Sequence, residues 1–237
     1  MKTSQYILLS FFGFIITAIL VLYIDSKDAY TLKQEGNPKG YNSSLNRKSI
    51  PPKSLKSFSV IVAELDANLQ IESDSVNSMS AVLFKKDTVF NLPEYKILND
   101  TLYVSKGNYV APTIIKCKSV KSIVGKKESS IYLNNLKSDS LFITLNNSKL
   151  NGKLENKLID YIDVDVKNKS NLSLNVSKSN VSLTKLNMNN SKVYLYRSNL
   201  FKTLNAKLVN KADLHIGKIE KLIIECDASS RYQAMGN

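Results

Sequence analysis

The chain has 237 residues, 43% apolar and 22% charged, enough to bury a sizeable core in one good-sized domain. Its net charge is +13, but the lysines lie mostly singly in Asn/Ser-rich text with no helix-length basic stripe. They read as a solvated surface and not as a nucleic-acid footprint, with lipid headgroups or an acidic polysaccharide as the alternative reading. The single histidine, His215, excludes a two-histidine metal motif, and Cys117 and Cys226 are far apart without metal-ligand spacing.

The chain opens with "YILLSFFGFIITAILVLYI", an uncharged run from Tyr6 to Ile24. Its 19 residues approach the roughly 20 needed to cross a bilayer. No small-residue cleavage pattern follows, and the next residues are Asp25, Ser26, Lys27 and Asp28. Residues 1–24 are therefore expected to be an uncleaved N-terminal transmembrane helix, a signal anchor, with a cleaved signal or a buried soluble helix as the alternatives. Lys2 and the free amino terminus favour a cytoplasmic start, although Lys27, Lys33 and Lys39 dilute the bias. Everything functional then lies beyond the membrane, on the periplasmic side of the inner membrane.

Residues 25–56 hold Gly36, Gly40 and three of the five prolines, with no apolar period. They are expected to be a flexible polar tether reaching roughly 30 Å.

From residue 57 to residue 237 apolar and polar residues alternate, which is strand periodicity. "SIYLNN", "KLNGKL", "NLSLNV", "KVYLYR" and "DLHIGK" start at Ser130, Lys149, Asn171, Lys192 and Asp213, in steps of 19, 22, 21 and 21. A second set starts at Leu141, Ile162, Val181, Thr203 and Leu222. Two short strands every 21 or so residues predict a β-solenoid, because one coil cannot bury its own apolar face and must stack on the next. Leu150, Leu172, Val193 and Leu214 are expected to form one inward column, and Gly152, Leu174, Leu195 and Ile216 the next. Asn151, Ser173, Tyr194 and His215 then point outward. Asn146, Asn168, Asn189 and Asn210, each three residues before a strand start, are expected to stack as a corner ladder with left-handed backbone. Ser148, Ser170, Ser191 and Ala212 follow one residue before each strand.

These stretches, with "FSVIVAELDANLQIES", "NDTLYVSKG" and "APTIIKCKSVKSI" before them, resemble the GIN domain, the head-domain family of autotransporter-adhesin type found in Bacteroidota-type envelope proteins. The resemblance implies a right-handed parallel β-helix over residues 57–237, behind an export signal or anchor. Family turns favour Gly-Ser-Gly-like sequences, whereas "NNS", "NKS" and "NKA" stand here, and Asn can adopt the same left-handed turn. The family brings no catalytic residues to carry over.

"DYIDVDV" is the one carboxylate cluster, with Asp163 and Asp165 on the outward face of a strand and Asp160 just before it. Phe142, Thr144, Ser182 and Thr184 are the expected neighbours, with no basic residue at a matching outward position. That makes a solvated face the leading reading, over acid–base chemistry or a cation site. His215 beside Tyr194 reads as a surface imidazole. Tyr132, Tyr194 and Tyr196 lie outward and suit cross-strand stabilisation or, alternatively, stacking on sugar rings. The Asp-Ser/Thr-aliphatic triplets at Asp74, Asp87, Asp100 and Asp139 fit strand entry, or an O-glycosylation signal of such secreted proteins. Cys117 and Cys226, about five coils apart, are expected to remain unpaired, with Cys226 a small core residue.

The expectation is thus an all-β chain, a right-handed parallel β-helix with coils of about 21 residues preceded by an N-terminal transmembrane helix. It is not an enzyme and has no catalytic, cofactor-binding or metal-ligating residues and no cofactor. It binds, adheres or scaffolds in the envelope, held in the membrane through Tyr6 to Ile24, with a carbohydrate or an envelope protein as partner and no nucleic acid. The alternative is a carbohydrate-active β-helix enzyme, a lyase or hydrolase, acting on envelope polysaccharide.

Overall fold

Nineteen short strands build the described part of the computed structural model, which covers residues 48–83, 92–105, 112–155, 158–176, 180–196 and 200–234. In chain order they are β1 (Lys48–Ser54), β2 (Val60–Glu64), β3 (Asn68–Ser73), β4 (Ser78–Leu83), β5 (Glu94–Leu98), β6 (Thr101–Ser105) and β7 (Thr113–Cys117). Then come β8 (Ser122–Lys126), β9 (Ser130–Leu136), β10 (Ser140–Asn146), β11 (Lys149–Leu154), β12 (Leu158–Lys167) and β13 (Asn171–Val176). The last six are β14 (Asn180–Asn189), β15 (Lys192–Leu195), β16 (Leu200–Val209), β17 (Asp213–Ile216), β18 (Ile219–Cys226) and β19 (Arg231–Ala234). All belong to the unit Arg47–Asn237. The run between Tyr6 and Ile24 lies outside the described residues, as does most of the expected tether. The tether's end does not remain a linker, because Lys48–Ser54 form β1 and pair with β4. Among the described residues no helix is long and apolar enough to cross a membrane.

The strands form a β-solenoid of two sheets, one ordered β1-β4-β7-β3-β9-β11-β13-β15-β17-β19 and the other β18-β16-β14-β12-β10-β8-β2-β6-β5. The last ten strands, β10 to β19, make five turns in chain order, each pairing in parallel with the next. The strand starts read from sequence hold: Ser130, Lys149, Asn171, Lys192 and Asp213 open β9, β11, β13, β15 and β17. Leu150, Leu172, Val193 and Leu214 stand in one register column and are all fully buried. Each such aliphatic side chain contributes about 1.5–3 kcal/mol by leaving water.

Earlier in the chain the layers do not follow the sequence. β2 pairs with both β6 and β8, and β3 with both β7 and β9. The first turn is therefore sandwiched, with Ile61 in register with Leu102 on one side and Ile123 on the other. The chain builds β2–β3, lays β6–β7 against one edge, and crosses back to start β8–β9 on the other. Antiparallel strands close that outer end: β4 on β7, β1 on β4 and β5 on β6. This order corrects the separation of the two cysteines. β7 and β18 lie in the first and last of eight stacked layers, seven spacings and about 34 Å apart along the axis at about 4.8 Å per layer. Both thiols are free, as expected. Cys226 is not a core residue, however. It faces inward in register with Leu208, but no described strand covers it and it is exposed.

The second strand set differs in register from the sequence reading. Leu141 and Ile162 are followed in their column by Thr184, Leu204 and Leu222, not by Val181 and Thr203. Two consecutive residues face outward in the long strands, Asp160–Tyr161 in β12 and Ser182–Leu183 in β14, so the period-2 alternation slips there. The slip recurs layer upon layer and puts Thr184 in the core, where it is buried.

Candidate functional site

The outward face of the β10–β18 sheet carries a cluster of chemically varied side chains. Because β10, β12 and β14 stack in parallel, Phe142, Asp163 and Lys185 form one outward column, with Ser140, Tyr161 and Leu183 in the column beside it. The Phe142 and Tyr161 rings lie 5.8 Å apart between centroids, tilted by 59°, within the range of favourable aromatic pairs. The Tyr161 hydroxyl donates to Asp163 Oδ2 at 2.8 Å. Partial burial and that carboxylate hold the Tyr161 hydroxyl above the ordinary phenol range, since ionising it would place two anions together. Lys185 Nζ lies 5.8 Å from the Tyr161 ring centroid, at the limit of a cation–π contact.

Phe142 remains 46% exposed and forms one wall of a groove of about 460 Å³. The other walls come from the connections before β8 and β10, with Lys118, Lys121, Lys137, Ser138 and Ser140 among the lining residues. Ser138 Oγ holds the groove floor in shape through the carbonyls of Val120 at 3.0 Å and Ser140 at 2.7 Å. The site thus joins an exposed ring on a ladder of parallel strands to three lysines, hydroxyls and the Asp139 carboxylate, most of them from the adjoining connections.

"DYIDVDV" therefore lies beside this site, though not among the neighbours expected. Phe142 and Thr144 flank Asp163 and Asp165 on one side as read. On the other side stand Lys185 and Asn187, not Ser182 and Thr184, because of the slipped alternation. A basic residue does stand at the matching outward position. Asp165 is also bridged by Lys167 at 2.7 Å. Both carboxylates are engaged within the protein. Among the described residues no group of three His, Cys, Asp or Glu is placed to hold a metal ion.

The opposite sheet presents its tyrosines less continuously. Tyr132 and Tyr194 share one outward column but are separated by Asn151 and Ser173. Tyr194 is stacked on His215, with centroids 4.6 Å apart and 15° between planes. His215 Nε2 lies 3.3 Å from Asp213 Oδ1. Arg231 donates to the same carboxylate through Nε at 3.0 Å and Nη2 at 2.8 Å. The Arg231 guanidinium first, and His215 second, hold Asp213 below the usual carboxylate range. This set ties the last three layers together. Thr101 and Ser140, from two of the Asp-Ser/Thr triplets, open β6 and β10, in line with their reading as strand entry.

Sequence reasoning set Phe142 beside Asp163 on an outward face but read that face as solvated, named no binding residue on it and missed the groove. Its lysines sit in non-periodic connections, and only "KCKSVK" and "LKSDS" hinted at a local basic concentration.

No protein-family model matches the chain. No curated protein matches it by sequence. Solved structures do match. A "putative adhesin" from Bacteroides fragilis NCTC 9343 is 12% identical at a TM-score of 0.50, over 81% of this chain and 99% of its own. A "putative adhesin" from Parabacteroides distasonis ATCC 8503 is 10% identical at a TM-score of 0.51, over 80% of this chain and 94% of its own. The likeness is one of fold. A "putative lipid binding protein" from Parabacteroides distasonis ATCC 8503 is more distant, at a TM-score of 0.40, 14% identity, and coverage of 81% and 98%.

Proposed function

We propose that this solenoid is a non-catalytic binding module of the bacterial envelope whose ligand is an acidic carbohydrate. Residues 6–24 hold it in the membrane, residues 57–237 form a GIN-like domain on the extracytoplasmic side, and the groove beside Phe142 takes the sugar. The adhesin names borne by proteins of the same fold agree with a binding role. The carrying observation is the exposed Phe142 ring, set between the lysine-lined groove and Tyr161.

A pyranose presents a C–H face that packs on an aromatic ring, while its hydroxyls need donors and acceptors at the rim. Phe142 supplies the ring, and Ser138, Asp139 and Ser140, which line the same groove, supply polar partners. Lys118, Lys121 and Lys137 favour a carboxylate- or sulfate-bearing saccharide over a neutral one. Strand β10 positions Phe142 and Ser140 in advance, which lowers the ordering cost of binding at those two residues. A glycan array probed with the detergent-solubilised full chain tests the reading. Retention on acidic glycans and not on their neutral counterparts is the expected pattern, and retention on neutral glycans alone contradicts it.

A further inference from the structure

The two ends of the solenoid are built differently. At the end near β5, one sheet is edged by β1, whose Pro51 and Pro52 lack backbone donors and whose register breaks between Ile50 and Lys53. The other sheet is edged there by β5, with Glu94 and Lys96 exposed. Prolines and charges of this kind prevent a further strand from adding. The opposite end carries exposed charges too, among them Lys221 and Glu225 of β18, but has no proline or register break in its edge strands. β18 and β19 are edge strands there, and Leu222, Ile223 and Tyr232 are exposed large apolar side chains. Leu222, Ile224 and Cys226 stand in register with the core residues Leu204, Ala206 and Leu208, so this edge is a section through the core.

We infer that this end is covered by a second copy of the chain, β18 pairing antiparallel with β18 of the other copy about a two-fold axis at Ile223. The sequence of β18, IEKLIIEC, selects the arrangement. Residues directly opposite in an antiparallel pair face the same side, so inward Leu222 and Ile224 must meet inward partners. Among the registers that satisfy this, only the one centred on Ile223 sets Lys221 opposite Glu225. Symmetry then makes that pair twice, and Leu222 meets Ile224 twice on the inner side. Glu225 already lies 3.7 Å from Lys207 of the layer beneath. Lys221 of the second copy adds a cation on its open side. Because the β1 edge, with Pro51, Pro52 and its broken register, resists pairing, head-to-tail growth is blocked in that sheet and association stops at a closed pair.

Oxidative crosslinking of the full chain in membranes or detergent tests this, in a Cys226→Ser background. Ile223→Cys places two thiols at the axis, where cross-strand Cβ atoms lie about 4.5–5.5 Å apart, close to disulfide geometry. The expected result is a covalent dimer on a non-reducing gel, with none from Lys207→Cys one layer away. Lys221→Glu or Glu225→Lys in the Ile223→Cys chain sets like charges opposite and lowers the dimer yield about tenfold. The Lys221→Glu/Glu225→Lys chain regains it. A dimer yield from Ile223→Cys no greater than that from Lys207→Cys overturns the pairing. Single charge reversals without effect, or a double reversal without rescue, overturn the register.

Discussion

Asn168 Nδ2 donates to Asn146 Oδ1 at 2.8 Å, although the two asparagines occupy different backbone positions. Asn146 ends β10 in register with Lys167, one residue before Asn168. The first left-handed residues of successive turns are Asn147, Asn168, Asn190 and Asn210, with φ of 49°, 55°, 47° and 57°, and Lys169 and Lys211 follow left-handed in the three-residue turns, with φ of 61° and 65°. Asn146 and Asn189 are thus strand ends, not left-handed as counting back from the strand starts implies. The cause is turn length. Two residues join Asn146 to Lys149, but three join Lys167 to Asn171.

Asn168 combines both roles, so its loss is the more damaging. Asn168→Val removes an amide bond and forces a β-branched residue to positive φ, and is expected to cost about 1–3 kcal/mol. Asn189→Val loses the bond that Asn189 Oδ1 accepts from Asn210 Nδ2 at 3.0 Å, but keeps a strand backbone that suits valine. Its cost is expected at about 0.5–1.5 kcal/mol. Urea melts compare the two, and an Asn189→Val midpoint as low as that of Asn168→Val contradicts the register.

Gly152 faces Leu133 in the layer before it. A Cβ added there would lie 2.3 Å from Leu133 Cβ and 2.9 Å from the Leu133 backbone nitrogen. The crowding coincides with an irregularity in β9, where Asn135 has φ of 53° and the register with β11 shifts between Gly152 and Leu154. Backbone cannot yield as a flexible side-chain end does. Gly152→Ala is therefore expected to lower stability by about 1–3 kcal/mol, read from the same urea melts.

The two thiols are expected to differ in reactivity, because Cys117 is buried and Cys226 exposed. Burial pushes Cys117 up to about 12, which leaves almost no thiolate near neutral pH. In the folded chain at pH 8, iodoacetamide is expected to label exposed Cys226 and spare Cys117, with both labelled in urea. Mass spectrometry of the labelled peptides checks this.

Acid should weaken the last turns first. Asp227 accepts from the Asn210 backbone N–H at 2.7 Å, and this with the Ser229 and Ser230 bonds lowers it from 3.8 to about 2. A carboxylate depressed on folding adds stability above its unfolded value, and that contribution fades as pH falls through the folded one. Asp213, lowered by Arg231, acts in the same direction. Thermal melts should therefore fall between about pH 4 and pH 2, with a shallower fall in Asp227→Asn.

One sheet was legible in the sequence because its strand starts recur after small or Asn-containing turns, and inward Leu150, Leu172, Val193 and Leu214 keep strict alternation. The other hid its register, since inward Thr184 reads as an outward residue while half-buried Leu183 reads as core. The order of the first layers was not legible either. "VIVAE", "TLYVS" and "SIVGK" are all short apolar strands, and nothing local in them states that β2 lies between β6 and β8. The candidate site was half legible for the same reasons: Phe142 sits in a regular strand, whereas Lys118, Lys121 and Lys137 sit in connections, and Lys185 depends on the slipped register.

Calorimetric titration of the detergent-solubilised full chain with an acidic oligosaccharide and its neutral counterpart, at two salt concentrations and repeated with Phe142→Ala, tests acidic-carbohydrate binding most directly. The acidic sugar is expected to bind more tightly, to weaken as salt rises, and to lose about tenfold in affinity with Phe142→Ala. Equal affinity for the charged and neutral sugars, or binding untouched by Phe142→Ala, contradicts it.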